Sequence, residues 1–325
     1  MAAPAYGVWS EVTTWGGPMR YVLSGLRMRF KPAGGTTHAH NASGYGAMAL
    51  VSGKPYVVTV YGSEVYNADT RSWLYRALVN QVLKSAAAIT CTAPAMADYL
   101  IRHFGIDPSR IHMFSMGIST ADFSFDATER TAIRRELGVD NRLVITSNRR
   151  VRPQYRIDLL VRAFQILRAQ SERFHLMILE GDATPEYAHS VRALVRDLGL
   201  EESVSWVTGM RGQSEIRRYL LASDIVMSLP DSDQLSASIL EALAMQCSVC
   251  VSPLPAYREL LDAGLAHAVS VEGAEILAAS IAAIAERPEA GRPSKASVRE
   301  WLDVEHSDEA VSGKIVELYT RYGVC

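Results

Sequence analysis

The chain is short of cysteine, of long apolar runs and of any excess of one charge. Four cysteines among 325 residues are too few for a disulfide scaffold and point to a reducing compartment. Cys247 and Cys250 form a Cys-x-x-Cys, but Cys-Ser-Val-Cys-Val-Ser reads as a buried strand, with no second Cys or His pair at ligand spacing. Ordinary core thiols are expected there. No apolar run reaches the roughly 18 residues that span a bilayer, and the start, Met-Ala-Ala-Pro-Ala-Tyr-Gly-Val-Trp-Ser-Glu, lacks the basic and apolar stretches of a secretory leader. A cytoplasmic location is the expectation. Lys and Arg number 33 against 35 Asp and Glu, a net charge of −2, so no global drive toward nucleic acid exists and no nucleic-acid partner is expected.

What is present is the composition of a folded protein, 48% hydrophobic and 21% charged, in a length that suits two domains. The even charge total hides an asymmetry. Residues 1–125 carry 10 Lys and Arg against 6 Asp and Glu, and the remainder carries 23 against 29. A basic front half suits a protein that leans that half on an anionic surface; chance scatter over a large surface is the other reading.

From about residue 36 strands and helices alternate. Tyr56–Tyr61 is a continuous apolar, β-branched run closed by Gly62-Ser63, which fits a strand covered on both faces. A helix over 72–84, a strand over 88–92, a helix over Pro94–Phe104 stopped by Gly105 and a strand over 111–114 follow. A charged helical connector, Asp126–Leu137, precedes a second series with strands at 143–146, 175–179, 204–207, 225–229 and 249–252. Helices are expected between them at 157–171, 187–198, 214–222 and 238–245. This is α/β alternation that builds parallel sheets. The organisation predicted is an abbreviated N-terminal Rossmann-like domain over 1–125, a connector over 126–141, a C-terminal Rossmann-like domain over 142–305, and a terminal helix over 306–325 that braces the two. Two doubly wound halves leave a cleft at the carboxyl ends of their strands, where a ligand is expected.

The most informative stretch runs from Ser232 to Met245. It sets Asp233 and Glu241 eight residues apart across a loop-to-helix junction, with Glu241 expected in the first helical turn. The N–H groups near Leu235, Ser236, Ala237 and Ser238, the helix dipole and two serine hydroxyls make a site for a phosphate or diphosphate. Asp233 is placed to accept hydrogen bonds from hydroxyls beside that phosphate, and Glu241 to take a vicinal diol such as a ribose. An N-cap serine with two solvated acids is the plain alternative.

With these residues the chain resembles the GT-B glycosyltransferases, specifically the retaining enzymes of glycosyltransferase family 4. The mark is an acid, seven residues, then Glu, running into an Ala-rich helix and an apolar strand: Asp233…Glu241-Ala242-Leu243-Ala244…Val249-Cys250-Val251. The resemblance extends through Ser147-Asn148-Arg149-Arg150…Pro153…Tyr155…Ile157-Asp158-Leu159-Leu160…Ala163-Phe164, and through His38-Ala39-His40, Val57–Glu64 and Ser115-Met116-Gly117-Ile118-Ser119…Phe123. It covers roughly residues 36–265.

The resemblance implies an α/β, GT-B fold whose two Rossmann-like domains face across a cleft, and a transfer of sugar with retention from a nucleotide sugar, such as a UDP- or GDP-sugar, to a glycan or glycolipid hydroxyl. Arg149 or Arg150 would be the cation on the diphosphate, the register being open by one residue. Main-chain groups around Gly209 and Met210 would face the base, Asp233 the transferred sugar and Glu241 the ribose. Gly62 and Ser63 would lie near the reacting centre, with His40, Tyr61 and Glu64 on the acceptor side. A front-face transfer needs positive charge at the diphosphate and aligned sugars rather than a strong base, so no metal and no cofactor is required.

Several features depart from the family pattern. Tyr155 stands where a second phosphate cation, a Lys, is usual, and Tyr61 where many members have His. Gln246-Cys247-Ser248 replaces a Cys-Gly-Leu-Pro-like turn. The front, Met1–Gly35, is short, with Gly16-Gly17 and an amphipathic stretch Met19–Phe30 in place of a full strand–loop–helix opening. A shortened front leaves apolar surface to be covered by the inner face of a membrane, as a peripheral contact, or by a partner chain. These departures favour a rival reading, a non-catalytic GT-B-like subunit that scaffolds or activates a partner transferase. Gly44-Tyr45-Gly46-Ala47-Met48-Ala49 spells the GxGxxA of dinucleotide folds, with Glu64 twenty residues on. No apolar strand precedes it, and its glycines are better read as letting a helix pack closely.

Overall fold

The structure, a computed structural model, describes residues 17, 19–30, 37–210, 212–287 and 293–323. Most of the short front weighed above, Gly16 and residues 31–35 included, lies outside the described residues, as does Cys325. The chain divides into two compact units, Met1–Met113 with Lys314–Cys325, and Phe114–Gly313.

The first unit runs α1 (Met19–Arg29), β1 (His38–His40), α2 (Gly44–Ser52), β2 (Val57–Thr59), α3 (Ser63–Tyr66), α4 (Trp73–Ser85), β3 (Ala88–Cys91), α5 (Pro94–Phe104) and β4 (Ile111–Met113). The strands form one parallel sheet in the order β1-β2-β3-β4, with Ala39 opposite Val58, Val58 opposite Ile89 and Ile89 opposite Ile111. β2 and β3 are buried on both faces, which is why their runs read as continuous rather than alternating. β2 is shorter than the Tyr56–Tyr61 run predicts. Val60 still donates to the Thr90 carbonyl, but the Tyr61 N–H turns to the Glu64 carboxylate and ends the ladder. Ser72 caps α4, accepting from the Tyr75 N–H, and Pro94 and Gly105 bracket α5. The GxGxxA glycines lie in α2, where a Cβ on Gly46 would stand 2.6 Å from Val82 of α4; they serve close packing. Four strands among the described residues make this the smaller of the two sheets.

The second unit contains α6 (Ala127–Glu136), β5 (Leu143–Ser147), α7 (Ile157–Gln170), β6 (Phe174–Leu179), α8 (Pro185–Asp197), β7 (Val204–Val207), α9 (Gln213–Ala222), β8 (Ile225–Ser228), α10 (Ala237–Ala244), β9 (Ser248–Val251), α11 (Arg258–Asp262), β10 (His267–Ala268), α12 (Ala274–Glu286) and α13 (Lys295–Trp301). α14 (Asp308–Tyr322) begins here and passes into the first unit. All six strands are parallel, in the order β10-β9-β8-β5-β6-β7. The chain builds outward from β5 to β7, then returns to β8 on the other side of β5. That reversal is the topological switch of a doubly wound sheet, and it opens a crevice at the carboxyl ends of β5 and β8. The core on one face joins Ile145, Phe164, Leu176, Ile178 and Met227 with Leu277 and Ile281 of α12.

The division differs from the boundaries expected at 125 and 305. Residues 114–126 belong to the second unit because Ile118 pairs with Ser307, Phe123 is fully buried, and Arg217 donates to the Ser124 carbonyl. Residues 314–323 belong to the first, where Tyr319 bonds His38 and Tyr322 bonds His112. The connector helix α6 is latched at the amino end of β8, the end of the sheet opposite the crevice. Arg130 and Arg134 both pair with Asp224 and donate to carbonyls that end α9. A depression of about 350 Å³ opens beside this latch, lined by Arg130, Arg142, Asp224, Gln246 and Lys295. It lies at the amino ends of β5, β8 and β9, away from the crevice.

Candidate functional site

β5 delivers Asn148 and Arg149 to the crevice, and β8 leads through the loop 229–236 into α10. Two contacts tie these segments together. The Asn148 amide donates to the Ser238 carbonyl at 2.8 Å, and Arg149 Nη1 donates to the hydroxyls of Ser236 and of Ser238, the latter at 2.7 Å. Arg149 Nη2 pairs with Asp233 Oδ2 at 2.7 Å, and that same oxygen accepts the Tyr257 hydroxyl at 2.6 Å. The guanidinium lies over the Tyr155 ring, 4.5 Å from its centre. Arg149 is only 6% exposed. Burial works against its charge, but Asp233, Tyr257 and Tyr155 more than offset that and hold its pKa above the usual value. Burial, reinforced by Asp233, pushes the Tyr257 phenol well up, so it stays a hydrogen-bond donor.

Ser236 stands at the N-cap of α10, yet its hydroxyl serves Arg149 rather than the helix. The first main-chain bonds run from Ile239 and Leu240 N–H to the Ser236 carbonyl, so the amides of Leu235, Ser236, Ala237 and Ser238 precede the helical ladder. Glu241 is the fifth residue of α10, in its second turn rather than the first as expected. It is 8% exposed, and burial raises its pKa to about 7, against the pull of Arg149.

The structure separates the two arginines that the sequence left open. Arg149 enters the cluster; Arg150 points away, its side chain 60% exposed and 3.9 Å from Asp182, and is not brought to Asp233. Gly209 and Met210 follow β7, the edge strand two places from β5. Met210 packs beside Val139, Val144 and Met177. Sequence reasoning missed Tyr257, which lies far along the chain from Asp233 and has no spacing to mark it. It also missed Arg156, whose φ of 49° places a non-glycine residue in the left-handed region at the start of α7. The Arg156 guanidinium donates to the carbonyls of Leu229 and Pro230, beside the Asp233 loop.

In the first unit, His40, Tyr61, Gly62, Ser63 and Glu64 gather at the carboxyl ends of β1 and β2. His40 Nδ1 meets the Tyr61 hydroxyl at 2.7 Å, and the His38 ring stacks on His40 at 4.6 Å. His38 is held between Thr59 Oγ1 and the Tyr319 hydroxyl, each at 2.7 Å. Burial, and then the neighbouring His40, lower the His38 pKa to about 4, and burial lowers that of His40. Both imidazoles are therefore neutral near pH 7. Glu64 is buried at the start of α3 and accepts the Tyr61 N–H at 2.7 Å; burial raises its pKa despite the amides that it receives. Burial and then Glu64 lift the Tyr61 phenol to about 12.

Comparison with known proteins locates this architecture. The family model for glycosyl transferases group 1 matches residues 129–300, and that for Glycosyltransferase Family 4 matches residues 35–122. A D-inositol 3-phosphate glycosyltransferase of Xylanimonas cellulosilytica is 31% identical over 131 residues, 38% of this chain and 30% of that protein. Its namesake in Rhodococcus jostii is 28% identical over 173 residues, 50% of this chain and 37% of that protein. The chain thus spans about a third of the length of these relatives. Among solved structures, Anabaena Alr3699/HepE in complex with UDP and glucose superposes with a TM-score of 0.77 at 16% identity, covering 95% of this chain and 84% of that one. Sucrose-phosphate synthase from Thermosynechococcus elongatus superposes with a TM-score of 0.79 at 18% identity, covering 93% and 77%. These two share the fold.

Proposed function

The chain belongs to the glycosyl transferases group 1 family, and from that premise we propose that it transfers a sugar from a nucleotide sugar to a glycan or glycolipid hydroxyl with retention of configuration. The observation that carries this reading is the cluster of Arg149, Asp233, Ser236, Ser238 and Tyr257 at the amino end of α10, in the switch-point crevice. Arg149 and the amides of Leu235–Ser238 hold the diphosphate, and their positive field stabilises the charge that builds on it as it leaves. Asp233, fixed by Arg149 and Tyr257, meets the hydroxyls of the transferred sugar. Glu241 accepts from the ribose diol. The bond from the anomeric carbon to the diphosphate oxygen breaks, the acceptor oxygen bonds the same face of that carbon, and the acceptor proton passes to the departing diphosphate. No divalent ion is needed, since Arg149 and the helix end supply the positive charge. The HepE structures hold UDP, UDP with glucose, and UDP-glucose, which makes a uridine diphosphate sugar the first donor to test.

The rival reading, a non-catalytic subunit, is favoured by one observation: Asp233 already neutralises Arg149, and an aromatic ring, Tyr155, rather than a second cation, lies beneath it. Nucleotide titration separates the two readings. Calorimetry with UDP, GDP and ADP, in EDTA, is expected to show saturable binding of one of them, with turnover of the matching sugar nucleotide. Absence of binding by all three would defeat the proposal.

A further inference from the structure

The depression beside the α6 latch has the size and the charge of a ligand site. Its volume, about 350 Å³, stands at the lower end of the roughly 300–1,000 Å³ typical of small-molecule pockets. Segments far apart along the chain build it: Phe125 before α6, Arg130 in α6, Arg142 before β5, Asp224 before β8, Gln246 after α10 and Lys295 at the start of α13. Three cations face one acid, and that acid is already spent. Asp224 Oδ1 pairs with Arg130, while Oδ2 pairs with Arg134 at 3.0 Å and accepts the Val144 N–H at 2.8 Å. Arg142 donates to the Glu172 carbonyl, a neutral group, and among the described residues it forms no ion pair. Lys295 Nζ lies 5.9 Å from the centre of the Phe125 ring. The lining is cationic, with one aromatic side.

A second observation is independent of charge. Helices α2, α5, α6, α8, α11 and α14 are each followed by a left-handed glycine, Gly53, Gly105, Gly138, Gly199, Gly264 and Gly323, where the missing Cβ removes the steric cost. After α10 the same conformation falls on Gln246, at a φ of 60°. The turn closes there with the Cys247 N–H on the Ala242 carbonyl at 3.0 Å. A side chain is kept at a helix end that favours none. It belongs to a residue that lines the cavity, and its amide is both donor and acceptor.

We propose that this cavity binds a phosphorylated sugar. Surplus positive charge calls for an anion, and guanidinium and ammonium groups suit phosphate oxygens. The phosphate lies against Arg142 and Lys295, the Gln246 amide takes sugar hydroxyls, and the Phe125 ring covers a C–H face of the sugar. Free phosphate shares the charge of this ligand but not its hydroxyls, and the probes below separate the two. The cavity and the crevice lie at opposite ends of the sheet, and β8 alone, four residues long, sets roughly 10 Å between them. The ligand is a second occupant of the unit, distinct from a sugar donor in the crevice. The inference stands apart from the proposed catalysis and is tested without turnover.

The test is calorimetry of the full chain in phosphate-free buffer with EDTA, using glucose 1-phosphate, glucose 6-phosphate, inorganic phosphate and glucose. Saturable binding of at least one of the sugar phosphates is expected, with inorganic phosphate about fivefold weaker and no binding of glucose. Arg142→Ala and Lys295→Ala should each weaken that binding about tenfold or more, since each removes a hydrogen bond between charged groups. Gln246→Gly should weaken it about fivefold, while its thermal transition holds or rises because the left-handed backbone is relaxed. A Gln246 that only shapes the turn would leave binding unmoved. Excess UDP should not displace the sugar phosphate. Absent saturation by either sugar phosphate, inorganic phosphate that binds as tightly, displacement by UDP, or cavity variants that bind like the parent would overturn the inference.

Discussion

Glu241→Gln should stabilise the protein, and do so more as the pH rises. The carboxyl titrates at about 7 in the folded chain against an ordinary value of 4.5. Between those values the folded state keeps a proton that the unfolded state has lost. Stability is therefore complete below about pH 4.5 and is eroded as pH climbs through 7. At about 1.4 kcal/mol per pH unit, the burden carried by the ionised carboxylate above pH 8 reaches about 3 kcal/mol. Glutamine keeps the shape and carries no charge at any pH. Chemical denaturation of the parent and the variant across pH 4–9 should show nearly coincident stabilities at the acid end, a gap that widens between about pH 4.5 and 7, and little further change above about pH 8. At about 2–4 °C per kcal/mol for a unit of this size, thermal unfolding would show the same trend as several degrees. A gap that is constant with pH, or a variant less stable than the parent at pH 8, would refute the assignment of that burden to a buried, desolvated carboxylate. The same variant should lose at least tenfold in nucleotide affinity, since a hydrogen bond to a charged group contributes about 1.5–3 kcal/mol. A destabilising acid kept in a binding crevice is expected where a ligand hydroxyl supplies its partner.

Two further substitutions probe the same cluster. Arg149→Ala should remove nucleotide binding and cost about 3–5 kcal/mol, because Asp233 is then left nearly buried without its cation; Arg150→Ala, at an exposed side chain, should change stability by less than about 0.5 kcal/mol and leave binding intact. Calorimetry and urea denaturation of the pair check this, and equal effects would show that the arginine assignment is wrong. Tyr257→Phe removes one donor from Asp233 and should cost about 1–2 kcal/mol, lowering kcat while nucleotide affinity holds. A loss confined to KM would place Tyr257 at the nucleotide instead.

The alternation of strands and helices was legible because most of the buried parallel strands are short, β-branched-rich runs and several helices close on a glycine or a serine, such as Gly105, Gly138, Ser171 and Gly199. Most strand edges fall within a residue or two of their expected places. β2 is shortened the most, by one residue at its start and two at its end, since the ladder stops where Glu64, three residues further along, takes the Tyr61 amide. The stretch proposed to hold the diphosphate was legible for a similar reason: a helix start, three serines and two acids within fourteen residues are a local pattern. The choice between Arg149 and Arg150 was not, because adjacent residues after a strand point opposite ways, and which one turns inward depends on where α10 begins.

By itself, the amino-acid sequence determined two parallel α/β units, the family, and the segment that forms the amino end of α10, since these depend on residues close together along the chain. Only the tertiary structure decided that Arg149 is the buried cation, that Tyr257 steadies Asp233, and that residues 114–126 join the second unit. Each of these depends on a neighbour far along the chain, and desolvation, which sets the Glu241 titration, exists only once those neighbours have packed.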